Sequence, residues 1–398
     1  MAEQVDILII GGGLTGATLM LALEGSGYHT LLVDAKSFNE QSGDCFDART
    51  LALAPSSVRI LEMLDVWPLL ARNATAINTI HVSEKNRFGC STLTGDQTNP
   101  LGFVVEMQAI NRALHQLLPR AQVIAPAQLT AFDPALGIAT IKADGKESSV
   151  HAKLVVAADG ADSYVRQLCK LPAKIKDYDQ HALVANIGLQ RAHRNIAYER
   201  FTSSGPLALL PMTNSRSALI WSLPPKDAEK MLALNDSEFL KTLQRFFGYR
   251  LGRFIQVGQR AIYPLRQVIM PQQVEWPVVF VGNAAHTLHP VAGQGFNLGL
   301  RDVALLAQCI TQQGLNQTML TTYQQLRRHD QEAITRVTDG LIELFASKIP
   351  GVGLVRSLGL ITLDNTPLLK KLLSRYARGF AGVTPDLVCG IPLLKDAP

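Results

Sequence analysis

Short apolar runs separated by glycine turns dominate the N-terminal part of the chain. Val5 to Ile10 is a continuous apolar run broken only by Asp6, which is typical of a parallel strand covered on both faces. From Leu14 the pattern predicts a buried helix that ends at the glycines and serine of residues 25–27. A second apolar strand is predicted from Thr30 to Val33. Strand, helix and strand in this order indicate an α/β fold.

The turn between the first strand and the helix has the spacing of a nucleotide site. Gly11, Gly13 and Gly16 match the pattern GxGxxG, in which they allow a tight turn, a close diphosphate and close helix packing. Asp34 ends the second strand 18 residues beyond Gly16, near the offset at which an acid binds ribose hydroxyls. The order of these features predicts a dinucleotide site but does not choose between FAD and NAD.

Two further apolar strands end in turns that carry polar groups. Residues 153–159 run into Asp159 and Gly160, which could also be a simple strand exit. Residues 278–282 are followed by a glycine-rich loop and by a helix predicted to begin near Asn297. The amides at the N-terminus of that helix would suit a negatively charged group, such as the pyrimidine edge of a reduced flavin.

Between residues 178 and 271 the pattern changes to alternating strands, such as 197–201, 207–210 and 217–223. This alternation predicts an antiparallel sheet laid over the cofactor. The sheet would be either a structural layer or the wall of a pocket. The apolar wall residues would be Leu207, Leu209, Leu210, Pro211 and Trp221.

Near the C-terminus, residues 366–380 predict an amphipathic helix, with Thr366 and Pro367 as cap and first turn. It would either dock on a membrane surface or partner, or pack on the protein with a solvated basic face. The predicted apolar face comprises Leu368, Leu369, Leu372, Leu373 and Tyr376, and the basic face comprises Lys370, Lys371, Arg375 and Arg378.

Composition narrows the class of protein. A chain of 398 residues with 47% hydrophobic and 18% charged residues favours two closely packed domains. The net charge of +5 comes without basic runs interleaved with aromatics, so we expect no nucleic-acid partner. Cysteines at 45, 90, 169, 309 and 389 lack metal-site spacing, which predicts no metal and a reducing compartment. Because the N-terminus lacks a secretory signal and no apolar run approaches roughly 18 residues, we expect a cytoplasmic protein.

Four motifs in sequence order carry a family resemblance: GGGLTG, DARTLAL with Arg49, ADGADSYVR and GNAAHTLHPVAGQGFNLGLRD. Together they resemble the aromatic-ring flavoprotein monooxygenases, and specifically the hydroxylases of ubiquinone biosynthesis. The last motif is most similar to the group that acts on 2-octaprenyl-6-methoxyphenol. The similarity extends from residue 4 to about residue 390, through FTSSGPLALLPM at 201–212 and VCGIPL near the C-terminus.

Pattern and resemblance together predict an α/β fold. Residues 1–75, 101–177 and 272–345 would form a discontinuous, Rossmann-like FAD-binding domain of the aromatic hydroxylase type, with a parallel sheet. Residues 76–100 and 178–271 would form an inserted antiparallel β-rich substrate domain. Residues 346–398 would form a C-terminal helical segment.

The resemblance also implies roles for individual residues. Asp34 would bind the adenosine ribose, Arg49 would lie near the diphosphate or flavin, and Asp159 with Gly160 would serve both FAD and a transient nicotinamide. Asn283 stands where most of the superfamily has Asp at the ribityl chain, and its amide can still bond hydroxyls. His289 and Pro290 are the catalytic candidates, although His286 and His289 could equally be spacers in a turn. The flavin ring would be lined by Pro290, Gly293, Gly295, Phe296 and Asn297.

The expected activity is hydroxylation of a polyprenylated methoxyphenol, with FAD delivering oxygen as a flavin hydroperoxide. A second GxGxxG motif is missing from the sequence, so NAD(P)H would bind transiently without its own domain. The resemblance further implies a soluble multi-enzyme assembly of ubiquinone biosynthesis. If the 366–380 helix docks on lipid, the protein would lie at the periphery of the inner membrane. Two alternatives stay open: a flavin hydroxylase of another aromatic substrate or ring position, such as one that acts on a small aromatic acid, and a non-catalytic subunit of that complex.

Overall fold

A computed structural model describes residues 3–38, 49–95, 98–346, 349, 351–380 and 382–394. Cys45 and residues 47–48 of the DARTLAL motif lie outside the described residues. In chain order the strands are β1 Glu3–Ile10, β2 Thr30–Val33, β3 Thr50–Leu53, β4 Thr75–Ile77, β5 Thr79–Glu84, β6 Cys90–Thr94, β7 Gly102–Glu106, β8 Val123–Ile124, β9 Ala127–Asp133, β10 Ile138–Ala143, β11 Lys146–Ala157, β12 Lys174–Leu189, β13 Ile196–Thr202, β14 Gly205–Met212, β15 Arg216–Leu223, β16 Phe254–Val257, β17 Ala261–Ile269, β18 Val274–Glu275, β19 Val278–Phe280 and β20 His286–Thr287.

The helices connect and cover these strands. They are α1 Leu14–Ala22, α2 Pro55–Met63, α3 Trp67–Leu70, α4 Met107–Leu117, α5 Tyr164–Leu168, α6 Pro225–Ala233, α7 Asp236–Phe247, α8 Gln294–Gln313, α9 Gln317–Ala346, α10 Val352–Asn365, α11 Pro367–Ala377 and α12 Asp386–Cys389.

A mainly parallel sheet forms the framework of the nucleotide-binding region. Its order is β18–β19–β11–β1–β2–β8, and β19, β11, β1, β2 and β8 all run parallel. One face packs on α1, α4 and α8 through a shared apolar core. The other face is covered by the β9–β10 hairpin. This explains why the strands are continuous apolar runs, since both faces are buried.

The second sheet is mainly antiparallel and has the order β20–β17–β12–β15–β14–β13–β5–β6, with β16 beside β12. Only the β5–β13 pair runs parallel within these described strands. Helices α6 and α7 cover one face. We propose that this sheet and its two helices form the substrate domain, because residues 76–100 and 178–271 supply nearly all of them.

The structure agrees with the predicted βαβ unit at β1, α1 and β2 and differs at two helix ends. Helix α8 begins at Gln294 rather than near Asn297, because Gly293 adopts a left-handed conformation with φ of 60° and so sets the N-cap one residue earlier. The Thr366 side chain does not cap α11. Its hydroxyl donates to the carbonyl oxygen of Thr362 at 2.7 Å, on the preceding helix.

Candidate functional site

A cleft of about 1490 Å³ opens at the carboxyl ends of β1, β2 and β11. Such an edge of a parallel sheet is where nucleotides bind in α/β folds. Two predicted turns lie in its wall, Gly11–Gly13 and Asp159–Gly160, together with Asp34 and Arg49. The structure therefore brings these separately predicted groups together.

The first turn fits a diphosphate in its present shape. Gly11 has a φ of 105°, and a Cβ there would lie 2.5 Å from the carbonyl oxygen of Ala158. A Cβ on Gly16 would collide with the carbonyl oxygen of Gly11. A Cβ on Gly13, in contrast, would meet nothing within 4 Å. The space beside Gly13 is thus open at the N-terminus of α1, where backbone amides favour a negatively charged group.

Two of the acids that line the cleft, Asp34 and Asp159, are held in place by backbone amides. Asp34 accepts hydrogen bonds from the amides of Gly12 at 2.6 Å and Lys36 at 2.7 Å. Asp159 accepts from the amides of Tyr164 at 2.7 Å and Val165 at 3.0 Å through one oxygen. Its other oxygen, Oδ1, is buried without a hydrogen-bond partner among the described residues. A buried acceptor without a hydrogen-bond partner destabilises the fold. Asp159 therefore suits a ligand whose hydroxyl group donates a hydrogen bond to Oδ1.

Helix α4 supplies cleft residues that the sequence analysis missed. Gln108, Asn111, Arg112 and His115 all line the cleft, and their spacing of three and four residues places them on one face of α4. His115 donates from Nε2 to the carbonyl oxygen of Gly12 at 2.9 Å. The sequence does contain a signal for these residues: they form a polar face of α4, opposite its apolar face.

The third predicted turn packs against the first. A Cβ on Gly282 would lie 2.7 Å from the Thr15 hydroxyl oxygen, and one on Gly299 would lie 3.2 Å from the Cα of Gly282. Gly293 approaches strand β3, since its Cβ would lie 3.3 Å from the Cβ of Ala52. The loop after β19 therefore lies between the start of α1 and β3, although none of its described residues is among those that line the cleft.

Asn297 makes four hydrogen bonds within the protein. Its Oδ1 accepts from the Ala54 amide and the Ser57 hydroxyl, each at 2.7 Å. Its Nδ2 donates to the carbonyl oxygens of Ala52 at 2.9 Å and Gly293 at 2.8 Å. These bonds use its full capacity. Asn297 therefore positions the loop and β3, whereas the expected role was to line the flavin ring.

His286 belongs to a buried ionic cluster under the loop. Its Nε2 bonds to Asp302, whose other oxygen accepts from Arg327 Nε at 2.7 Å. Arg327 and Arg301 both pair with Asp330, at 2.7 and 2.9 Å. Burial alone would raise the pKa of Asp302, but His286 and Arg327 outweigh it and hold that pKa well below its usual range. This engagement makes His286 a structural residue of the turn.

His289 is buried in the same loop, whereas Pro290 is exposed. The His289 Nδ1 accepts from the Val291 amide at 3.1 Å, and its ring packs edge-on to Tyr178 with a centroid distance of 5.0 Å. Burial lowers the pKa of His289 to about 4, so the imidazole is neutral at neutral pH.

The remaining flavin-loop candidates lie at the surface of this region. Asn283 is exposed just after β19, and Gly295 and Phe296 are partly exposed at the start of α8. No group of three or more His, Cys, Asp or Glu side chains suited to a metal ion occurs in the described part of the chain.

The predicted substrate wall is divided between two faces of the second sheet. Leu207, Leu209 and Trp221 lie in the core between the sheet and helices α6 and α7. Leu210 lies on the opposite face, in an apolar cluster that includes Ala52 and Ala197. Side chains alternate along a strand, so Pro211 shares the face of Leu209. Of the five predicted wall residues, Leu210 alone lies on the face toward β3. The prediction was wrong for the other four, which lie on the opposite face of the sheet.

Comparison with known proteins agrees with this geometry. A profile of the family described as FAD binding domain matches residues 4–338. Ubiquinone hydroxylase UbiL of Rhodospirillum rubrum is 36% identical over 411 residues, covering 98% of this chain and 94% of that protein. The 3-demethoxyubiquinol 3-hydroxylase of Escherichia coli is 28% identical, covering 95% of this chain and 99% of that protein.

A solved structure shows the same fold. The p-nitrophenol 4-monooxygenase PnpA of Pseudomonas putida superposes with a TM-score of 0.78 at 16% sequence identity, over 95% of this chain and 99% of that one. The fold is therefore that of the aromatic hydroxylases, as the sequence predicted.

Substitution of Gly13 by alanine should separate cofactor binding from folding. The Gly13 backbone is extended, with φ of −68° and ψ of −171°, and the added methyl enters open space, so we expect unfolding of the flavin-free protein to change by no more than about 0.5 kcal/mol. FAD affinity should fall at least about tenfold, because the methyl takes space needed by the diphosphate. Titration with FAD and urea unfolding measure both. Gly359→Ala, on α10, is the control that should leave FAD affinity unchanged and stabilise the fold by about 0.5–1 kcal/mol, because alanine favours a helix interior over glycine. Unaltered affinity in G13A would rule out the proposed diphosphate position.

Replacing Asn297 by alanine should destabilise the flavin-free protein by about 3 kcal/mol, since several buried groups lose their partners. Urea unfolding of the flavin-free protein measures this directly. Asn365→Ala serves as the control, because the Asn365 side chain is exposed and bonds only to its own helix. Equal stability of N297A and the parent protein would show that the amide does not tie the loop to β3.

Proposed function

Because the chain belongs to the FAD binding domain family, we propose that it is an FAD-dependent monooxygenase that hydroxylates the ring of a polyprenylated methoxyphenol in ubiquinone biosynthesis. NAD(P)H and dioxygen would be its co-substrates. The observation that carries the proposal is the meeting of two glycine turns in one cleft, with the Asp159 acceptor left open there; the third turn supports it by packing against the first, at Gly282 and Thr15. The names of the R. rubrum and E. coli relatives, both ubiquinone-pathway hydroxylases, support the ring hydroxylation.

The cleft residues match the parts of FAD. The amides of Gly11–Gly13 and the start of α1 would bind the diphosphate, with Arg49 and Arg112 in the same wall to offset its charge. Asp34 would bind the adenosine ribose, and Asp159 with Gly160 and Asn283 would bind ribityl hydroxyls and the visiting nicotinamide. Pro290, Gly293, Gly295 and Phe296 would lie along the flavin ring. When bound, FAD accepts a hydride from NAD(P)H and, with dioxygen, supplies one oxygen atom for the ring.

The protein's own contribution is orientation and a dry site. The loop of residues 282–295 is fixed from below by Asp302 and from the side by Asn297. The facing sheet presents Leu210, Ala197 and Phe201, which belong to buried apolar clusters. An apolar wall suits a prenylated phenol better than an aromatic acid, which would need an unpaired cation. His289, being neutral, would serve as a hydrogen-bonding group near Pro290 rather than as an acid.

We expect the purified protein to bind FAD and to oxidise NAD(P)H at least about tenfold faster with a short-chain 2-methoxy-6-prenylphenol than without it, with formation of the hydroxylated ring. The comparison compound is 4-hydroxybenzoate, which matches the aromatic-acid alternative. Product analysis by mass spectrometry distinguishes hydroxylation from release of hydrogen peroxide. A preference for the acid would overturn the substrate. A colourless protein that cannot be reconstituted with FAD would overturn the oxygenase and favour a non-catalytic subunit.

We further propose that helices α10 and α11 contact an anionic membrane surface, where a polyprenylated substrate would reside. Leu368 and Leu372 of α11 are 67% and 57% exposed, and Leu354, Val355 and Leu358 of α10 are also exposed. Leu373 and Tyr376 instead pack inside the protein, so they are not part of the outer face. Lys371 and Arg375 lie beside the exposed leucines, a combination that binds anionic lipid. No helix in the described part of the chain is long and apolar enough to cross a bilayer.

Vesicle flotation tests this contact. The protein should float with vesicles that contain phosphatidylglycerol and phosphatidylcholine. L368S/L372S should bind at least about tenfold more weakly, since two apolar side chains would no longer leave water for the membrane. Leu136→Ser is the matched control, because Leu136 is 59% exposed on a turn elsewhere. Equal flotation of all three proteins would contradict the proposed surface.

A further inference from the structure

Glu199 is a carboxyl group on the inner face of the second sheet that the proposed function leaves unexplained. On strand β13, Tyr198 packs with the helices α6 and α7, and Arg200 donates to the carbonyl oxygen of Phe246 on α7. Because side chains alternate along a strand, Glu199 points to the other side, with Ala197 and Phe201. That side faces β3 and the flavin loop.

Its two same-face neighbours define where Glu199 lies. Ala197 belongs to the cluster that reaches Ala52 of β3, and Gly293 lies against Ala52. Phe201 belongs to the cluster that contains Val291 of the flavin loop. Across the sheet, Glu199 is paired with Ala208 on β14 and Val82 on β5. The carboxyl thus lies between two apolar clusters that both touch the loop of residues 282–295.

Glu199 has no partner there. No hydrogen bond or ion pair within the described residues reaches its carboxyl group, and its side chain keeps partial exposure although it is surrounded by protein. This combination is typical of a side chain that lines an internal space. The charged groups on the elements packed around it are already paired: Glu84 with Arg356, Glu106 with Arg216, and Asp339 with Tyr178 and Lys176. In the loop, His286 is paired with Asp302 and His289 is neutral.

From this placement we infer that Glu199 binds the ring hydroxyl of the aromatic substrate and accepts its proton. The inference rests on the proposed function and deepens it. The proton leaves the phenolic oxygen for the carboxylate, the electron pair stays on the ring oxygen, and the proton returns when the product hydroxyl forms. A phenolate donates electrons to its ring more strongly than a phenol, which favours attack on an electrophilic oxygen.

The electrostatics of the site support this role. Burial raises the pKa of Glu199 to about 7, and a general base acts best when its pKa lies near the working pH. Below that value the carboxyl is neutral and cannot accept a proton; above it the carboxylate forms. The rate of hydroxylation should therefore increase as the pH rises through about 7.

The test compares Glu199→Gln, Glu199→Leu and the control Glu229→Gln, which alters an exposed acid on α6. At pH 8, E199Q should form product at least about 100-fold more slowly than the parent protein and should lose the rise in rate near pH 7. The FAD-loaded parent protein should bind 2-methoxy-6-prenylphenol roughly tenfold more tightly than its methyl ether, as measured by perturbation of the flavin absorbance. E199L should lose this preference for the free phenol. E229Q should match the parent protein throughout.

Thermal unfolding distinguishes this role from a structural one. An unpartnered buried carboxyl destabilises a fold, so E199Q and E199L should unfold at the same temperature as the parent protein or above it, while activity falls. A parent protein that turns over the phenol, with E199Q retaining its rate and pH profile, would overturn the inference and leave the proposed function standing. A parent protein that does not bind the phenol and does not oxidise NAD(P)H faster in its presence would overturn both the inference and the proposed function. If E199L fails to fold, E199Q and the pH profile decide.

Discussion

The amide of Asn297 is the interaction on which the geometry of the site depends. It joins the stretch formed by β3 and the start of α2 to the loop at Gly293, two parts of the chain that lie about 240 residues apart. A primary amide is well suited to this position, because it offers two donors and two acceptor lone pairs in one plane. Asp would lack the donors and Leu would lack both. The proposed FAD site therefore requires β3, the start of α2 and the start of α8 to be packed together.

Charge is buried beneath the same loop at considerable cost. Asp302, Arg327, Asp330 and Arg301 are almost fully enclosed, and an apolar cluster of similar volume could be more stable. The ionic cluster instead fixes the orientation of the turn after β19. Asp302 bonds both His286 and the Gly282 amide, so the two ends of the turn after β19 are held by one carboxylate. The cofactor loop is thus fixed by groups that tolerate few alternative arrangements.

The sequence predicted the nucleotide-binding half well because its signals are local. Glycines at fixed spacing, apolar strands and an acid at a strand end all act within one βαβ unit, and the structure places Gly11, Asp34 and Asp159 around one cleft. The wall of the second sheet was predicted poorly. Alternation shows that Leu209 and Leu210 face opposite ways, but it cannot show which face meets the flavin loop until α6 and α7 are placed. The role of Asn297 was also hidden, since three of its four partners come from tertiary contacts.

The same reasoning explains why Glu199 escapes a motif search. It lies in no glycine turn, and a single acid in an alternating strand looks like an ordinary solvent-facing residue. Its chemistry arises only because the face that would be solvated in an isolated sheet is covered by β3 and the flavin loop. Under the proposed function, these two surfaces would hold the substrate between FAD and an ionisable group. In this fold the cofactor site follows from local sequence, whereas the substrate site follows from the packing of one sheet against the other.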